Sequence, residues 1–228
     1  MLLNKRTSRN ILSWAFFAVA SLDIIAVGLR LPAMETIFKP LILLSLMLLY
    51  FMSSEKRNGF YLAALIFSFL GDVFLLDKKD FFLFGVGSFL IAQLLFIVVV
   101  RKNPPQLTWR SFWLAALPFL IYLILLMSLL FPSLGEMRTP VLVYGIVISL
   151  FGITALQAHV LRRDAASRTL LIGVVLFILS DSMIAINKFL EPHMVYPVAI
   201  MLTYVLAQYL IYSYVISIEQ EEIATDRR

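Results

Sequence analysis

The sequence predicts an all-α membrane protein, with eight transmembrane helices making one transmembrane domain of its 228 residues. Three observations carry that prediction. Hydrophobic residues make up 61% of the chain and charged residues 14%, where an ordinary soluble domain carries about 25% charge. Mean hydropathy is +0.94. Apolar stretches of about 20 residues, long enough to cross a bilayer as helices, recur from one end to the other.

The expected spans are about 11–29, 34–52, 60–76, 81–100, 111–131, 139–160, 168–187 and 194–217. The first follows Lys5, Arg6 and Arg9 but carries Asp23 and lacks a small-residue cleavage site, so it reads as a retained helix. The loops between spans are short, so sequence neighbours are expected to pack antiparallel. Pro118 and Pro140 are expected near helix ends, and the tail "EQEEIATDRR" as a solvated end. There is no cysteine, hence no disulfide framework and no thiolate chemistry.

Basic residues orient the bundle. Thirteen Lys and Arg, among them Lys5, Arg6, Arg9, Lys56, Arg57, Arg110, Arg227 and Arg228, fall on one side. Six fall on the other, namely Arg30, Lys39, Lys78, Lys79, Arg138 and Lys188. The positive-inside rule then puts both termini in the cytoplasm, as for a protein of a bacterial inner membrane. The net charge of +5 is thus a topology signal, and no basic soluble face exists for nucleic acid.

An internal duplication is also legible. "FLIAQLLFI" (Phe89 to Ile97) matches "YVLAQYLIY" (Tyr204 to Tyr212), and each follows a span with a small residue before an aspartate. Those spans hold "FSFLGD", ending at Asp72, and "LFILSD", ending at Asp181. One span earlier, "KPLILL" from Lys39 aligns with "TPVLVY" from Thr139. Repeats over 11–100 and 111–217 with four spans each would be parallel, related by an axis along the membrane normal. That symmetry would set Asp72 and Asp181 at equal depth, roughly 18–20 Å from the cytoplasmic side.

Asp23, Lys39, Asn187 and Lys188 are expected in the same outer layer. Charges at membrane depth are costly and mark pathways or sites. Asp72 shares a stripe with Ser68, and Asp181 one with Ala185 and Lys188. Gln93 and Gln208, with Tyr204 one turn before the latter, form the repeat's second polar stripe. The bland alternative is a buried ion network that only joins helices. Against it, three carboxylates face one or two lysines, and a surplus acid beside an ionised one suits general acid–base work. Gly71, Gly85 and Ser88 read as close-packing residues. His159 and His193 lie at opposite ends and cannot share a three-histidine zinc site.

These motifs carry a resemblance. "FSFLGDVFLL", "FFLFGVGSFLIAQLLF", "GVVLFILSDSMIAINKF" and "TYVLAQYLIYS", with Lys39–Pro40, resemble the YhhN family of integral membrane proteins, which includes the lysoplasmalogenases. The resemblance implies hydrolysis of the vinyl-ether bond of a lysophospholipid substrate held among membrane lipids, with no metal and no cofactor. It makes Asp72 and Asp181 the catalytic acid and base, with Asp23 next in line and Lys39 and Lys188 receiving the phosphate. Ser68, Gln93, Ser182, Asn187, Tyr204 and Gln208 complete the expected substrate contacts. One departure stands out. Family members often carry a histidine where this chain has Gln93, followed by Phe96. Glutamine hydrogen-bonds but cannot shuttle a proton, so another ether or enol lipid stays open as substrate.

Two other classes compete. A proton-coupled carrier or lipid flippase would also show repeats and midplane carboxylates. An intramembrane aspartyl protease is disfavoured, because Phe69 stands where its motif needs a glycine two places before Gly71.

Overall fold

The apolar runs form eight α-helices in the computed structural model, which describes residues 5–77, 80–102 and 109–226. They are α1 (Lys5–Gly28), α2 (Pro32–Ser53), α3 (Gly59–Phe74), α4 (Phe82–Arg101), α5 (Trp109–Leu130), α6 (Arg138–Arg162), α7 (Ala165–Phe189) and α8 (Tyr196–Asp226). Among the described residues there is no strand. Lys78, Lys79, Arg227 and Arg228, counted above for orientation, lie outside the described residues, as do the side chains of Lys5, Arg6 and Arg110.

Seven of the helices are long and apolar enough to cross a membrane. The eighth, α3, has 16 residues, which at about 1.5 Å each falls short of a hydrocarbon core of about 30 Å. Caps set several ends. The Asn58 side chain accepts from the Phe60 and Tyr61 amides at the start of α3, and Asp164 accepts from the Ser167 amide at 2.7 Å at the start of α7. Pro32 opens α2, where its missing N–H costs nothing. One proline corrects the sequence reading: Pro118 lies well inside α5, whereas Pro140 is near the start of α6 as expected.

The chain divides into two compact units. The first comprises residues 1–92 and 212–228. In it α1 packs on α2, and α2 on α3. Its core holds Phe16, Ile42, Leu46, Tyr50, Tyr61 and Leu65, all fully buried. As expected, Gly71 and Gly85 are points of close approach. A Cβ on Gly71 would sit 2.6 Å from the Phe89 ring, and one on Gly85 2.8 Å from Leu75.

The last turns of α8 belong to this unit, and of the tail expected to be solvated Gln220, Glu221, Ala224, Thr225 and Asp226 are exposed, whereas Glu219 is not. Glu219 is only 6% exposed. Its carboxylate accepts from the hydroxyls of Tyr50 and Ser54, each at 2.5 Å. Tyr212 donates to Ser53 at 2.9 Å. On the surface, Lys56 pairs with Asp226 at 2.9 Å and Glu222 at 3.2 Å. Hydrogen bonds to Asp226 and then Glu222 hold the Lys56 ammonium above the usual lysine pKa. Glu219, Glu222 and Asp226 thus tie α8 to the end of α2 and the α2–α3 loop.

The second unit comprises residues 93–211. Here α5 packs on α6, and α7 on both. Phe96 stacks on Phe151 with centroids 5.7 Å apart, and Phe177 meets Tyr204 edge-on at 5.8 Å. Small residues let the helices close up. A Cβ on Gly152 would lie 2.2 Å from the Phe119 ring, and one on Gly173 3.0 Å from Leu210. Gly152→Ala is expected to cost about 1–3 kcal/mol by overpacking. Adding Phe119→Leu in the same chain is expected to restore part of that. Melting temperatures of the purified single and double variants in detergent check both.

Candidate functional site

In the second unit, four helices converge on one carboxylate. Asp181 lies on α7, near the middle of a helix that is apolar on either side. Its Oδ2 accepts a hydrogen bond from the hydroxyl of Tyr144 on α6 and a second from Gln93 Nε2, at 3.0 Å. Gln93 Nε2 also donates to the Tyr144 oxygen at 2.7 Å. The amide, the phenol and the carboxylate therefore close a three-membered ring of hydrogen bonds. Gln93 is fully buried, whereas Asp181 is only partly covered.

A second tyrosine stands beside this ring. The Tyr122 oxygen of α5 lies 2.8 Å from Ser182 Oγ. Ser182 has one hydroxyl hydrogen and gives it to the Ile178 carbonyl at 2.6 Å, so Tyr122 must be the donor to Ser182. Tyr122 also lies within electrostatic reach of Asp181. One residue away, Ser180 donates to the Ile200 carbonyl at 3.1 Å and ties α7 to α8. The site is thus built from neutral donors around a carboxylate, where each hydrogen bond is worth more than in water.

The structure joins some of the expected residues and separates others. Gln93, Asp181 and Ser182 share the cluster. Asn187 sits two turns on, where its side chain accepts from the His193 amide at 3.2 Å and shapes the α7–α8 turn. Lys188 is exposed at the end of α7. On α8, Gln208 is fully buried, and neither amide atom has a hydrogen-bond partner among the described residues. Tyr204, one turn before it, is 4% exposed and packs on Phe177.

The first unit holds the other carboxylates. Asp23 on α1 is fully buried, and neither of its oxygens has a hydrogen-bond partner among the described residues. Lys39 and Glu35 on α2 lie within its electrostatic reach. Lys39 is itself buried and meets Glu35 at 3.4 Å, one turn away. On α3, Asp72 and Ser68 are buried. Ser68 Oγ has no hydrogen-bond partner among the described residues.

Three residues of these clusters escaped the sequence reading. Glu35 precedes Lys39 by one helical turn, which is the ordinary signal for an i,i+4 pair. Tyr144 closes the string "TPVLVY", which was aligned for its proline rather than its phenol. Tyr122 stands in a leucine-rich run with nothing polar beside it.

The ring's coupling is measurable. A double-mutant cycle of Tyr144→Phe and Asp181→Asn is expected to show an interaction of about 0.5–2 kcal/mol in detergent stability. The same cycle with Ser128→Ala, whose hydroxyl donates to its own helix at Leu125, is expected to be additive.

Comparison with known proteins adds the family. The YhhN family matches residues 34–215, most of the chain. Three relatives named "Uncharacterized membrane protein YhhN" come from Escherichia coli O6:H1, Escherichia coli O157:H7 and Shigella flexneri. Each is 30% identical over 133 residues, covering 56% of this chain and 62% of the relative. The match therefore spans less than two thirds of those relatives' length. No solved structure matches the chain.

Proposed function

The chain belongs to the YhhN family of membrane proteins, and we propose that it is a hydrolase of the vinyl-ether bond in lysoplasmalogen-type lysophospholipids. The observation that carries this reading is the convergence of Tyr144 and Gln93 on Oδ2 of Asp181. A vinyl ether hydrolyses by protonation of its double bond, which leaves an oxocarbenium ion for water to capture. A carboxylate oxygen that accepts from two donors is pinned in place and acceptor-only. It suits stabilising a cation and taking a proton from water.

On this reading Asp181 is the base, and Asp72 is the candidate donor of the proton to carbon, with Asp23 next in line. Lys39 and Lys188 are the cations offered to the phosphate. Ser68, Ser182, Asn187, Tyr204 and Gln208 are the candidate contacts to the rest of the lipid. The chain would act in a bacterial inner membrane with both termini in the cytoplasm. A small lipid or proton-coupled carrier using the same buried carboxylates is the second reading, although α2 and α5 run unbroken through Pro40 and Pro118, without the interrupted helices of many carriers.

Aldehyde release from lysoplasmenylethanolamine by purified protein in detergent separates the two. The hydrolase reading expects turnover in the parent, with Asp72→Asn and Asp181→Asn each lowering kcat by about a hundredfold or more in variants that stay folded at the assay temperature. Lipid exchange without aldehyde would establish the carrier instead. Reporter fusions at each terminus are expected to report a cytoplasmic location, and a periplasmic reading at either end would overturn the orientation.

A further inference from the structure

Resting on the hydrolase reading, we propose that Gln93 holds the attacking water through its amide oxygen, Oε1. The amide nitrogen points at two oxygens that are themselves hydrogen-bonded, Tyr144 at 2.7 Å and Asp181 at 3.0 Å, so one N–H is shared between them. A carboxylate only accepts, so the nitrogen end must be the end that faces Asp181. The oxygen end is thereby fixed, buried, and without a hydrogen-bond partner among the described residues. A buried carbonyl in that state calls for a donor. Water is a small donor with two hydrogens, and it is the reagent this reaction consumes. Placed beside the ring, it gives one O–H to Gln93 Oε1 and the other to the Asp181 carboxylate.

The steps then balance. The acid's proton goes to the vinyl carbon remote from oxygen, and the double-bond electrons leave an oxocarbenium at the carbon bonded to oxygen. The water oxygen bonds to that carbon while its proton passes to Asp181. In the resulting hemiacetal, Asp181 returns the proton to the ether oxygen as the C–O bond breaks. The hydroxyl proton restores the acid as the aldehyde forms. Gln93 takes no proton at any step. A glutamine therefore suffices at this position, because its task is to aim a nucleophile.

The test uses methanol as a competing nucleophile with lysoplasmenylethanolamine. Methanol capture forms a mixed acetal instead of aldehyde, its hydroxyl proton again going to Asp181. The parent is expected to give aldehyde almost alone. Gln93→Ala is expected to lower kcat for aldehyde about tenfold to a hundredfold, with KM little changed and the acetal fraction raised several-fold. Gln93→His keeps an acceptor nitrogen and is expected to fall between the two. If Gln93→Ala does not fold, the same comparison is made on Gln93→Met. Lost activity with an unchanged acetal fraction, or parent kcat in the variant, would overturn the water-holding role while leaving the hydrolase standing. A parent that releases no aldehyde would take both down.

Discussion

The constraint on which the rest of the structure depends is that a carboxylate at membrane depth must find its hydrogen bonds inside the protein. Hydrocarbon offers no donors, and an unpartnered charge there costs several kcal/mol. Asp181 meets this with donors from two other helices, Tyr144 on α6 and Gln93 on α4. Each donor fixes the rotation of its own helix about its axis. The polar ring therefore sets the register of the second unit, and the glycines set how closely its helices approach. Gly152 against Phe119 brings α5 and α6 together, so that Tyr122 and Tyr144 project from adjacent helices toward α7. Polar contacts choose the orientation, and small residues make it reachable.

The same logic explains the cytoplasm-facing features of the first unit under the expected topology. Glu219 is as buried as many core leucines, yet it follows a stretch whose hydropathy is already falling. Two hydroxyls within hydrogen-bonding distance make this tolerable. Tyr50 has a third role, since its oxygen also accepts from the Asn58 amide at 2.7 Å and so places the cap of α3. α3 is the short helix that bears Asp72. The tail of α8 thus bears on α3 through Tyr50 and the α2–α3 loop, by these hydrogen bonds and by the edge-on packing of Tyr50 against Tyr61.

What was legible in the sequence follows from how each signal is encoded. The helices were read because an apolar run of span length has few other meanings. Gln93 and Asp181 were read because each recurs at a matched place in the other half, and Gly71 and Gly85 because glycine in an apolar helix marks close contact. Tyr122 and Tyr144 were missed because a tyrosine in a leucine-rich helix looks like an interfacial anchor until a partner is known, and its partner is distant in sequence. Glu219 was misjudged because a run of charges reads as solvated. The correction was present in the spacing: Tyr212, Val215, Ile216 and Glu219 keep the i, i+3, i+4, i+7 pattern of a buried face after composition has turned polar.

The orphaned polar atoms follow a related rule. Asp23, Ser68, Gln93 Oε1 and Gln208 are buried without hydrogen-bond partners among the described residues, yet polar side chains on α5 and α7 are satisfied. Tyr122 gives its proton to Ser182, which passes its own to Ile178. A chain that satisfies a serine through a tyrosine has the means to satisfy a glutamine. An unpartnered Gln93 Oε1 beside Asp181 leaves the site an acceptor that it can still offer to a donor. The helix positions matched between the two halves, 93 and 208, both carry such an amide.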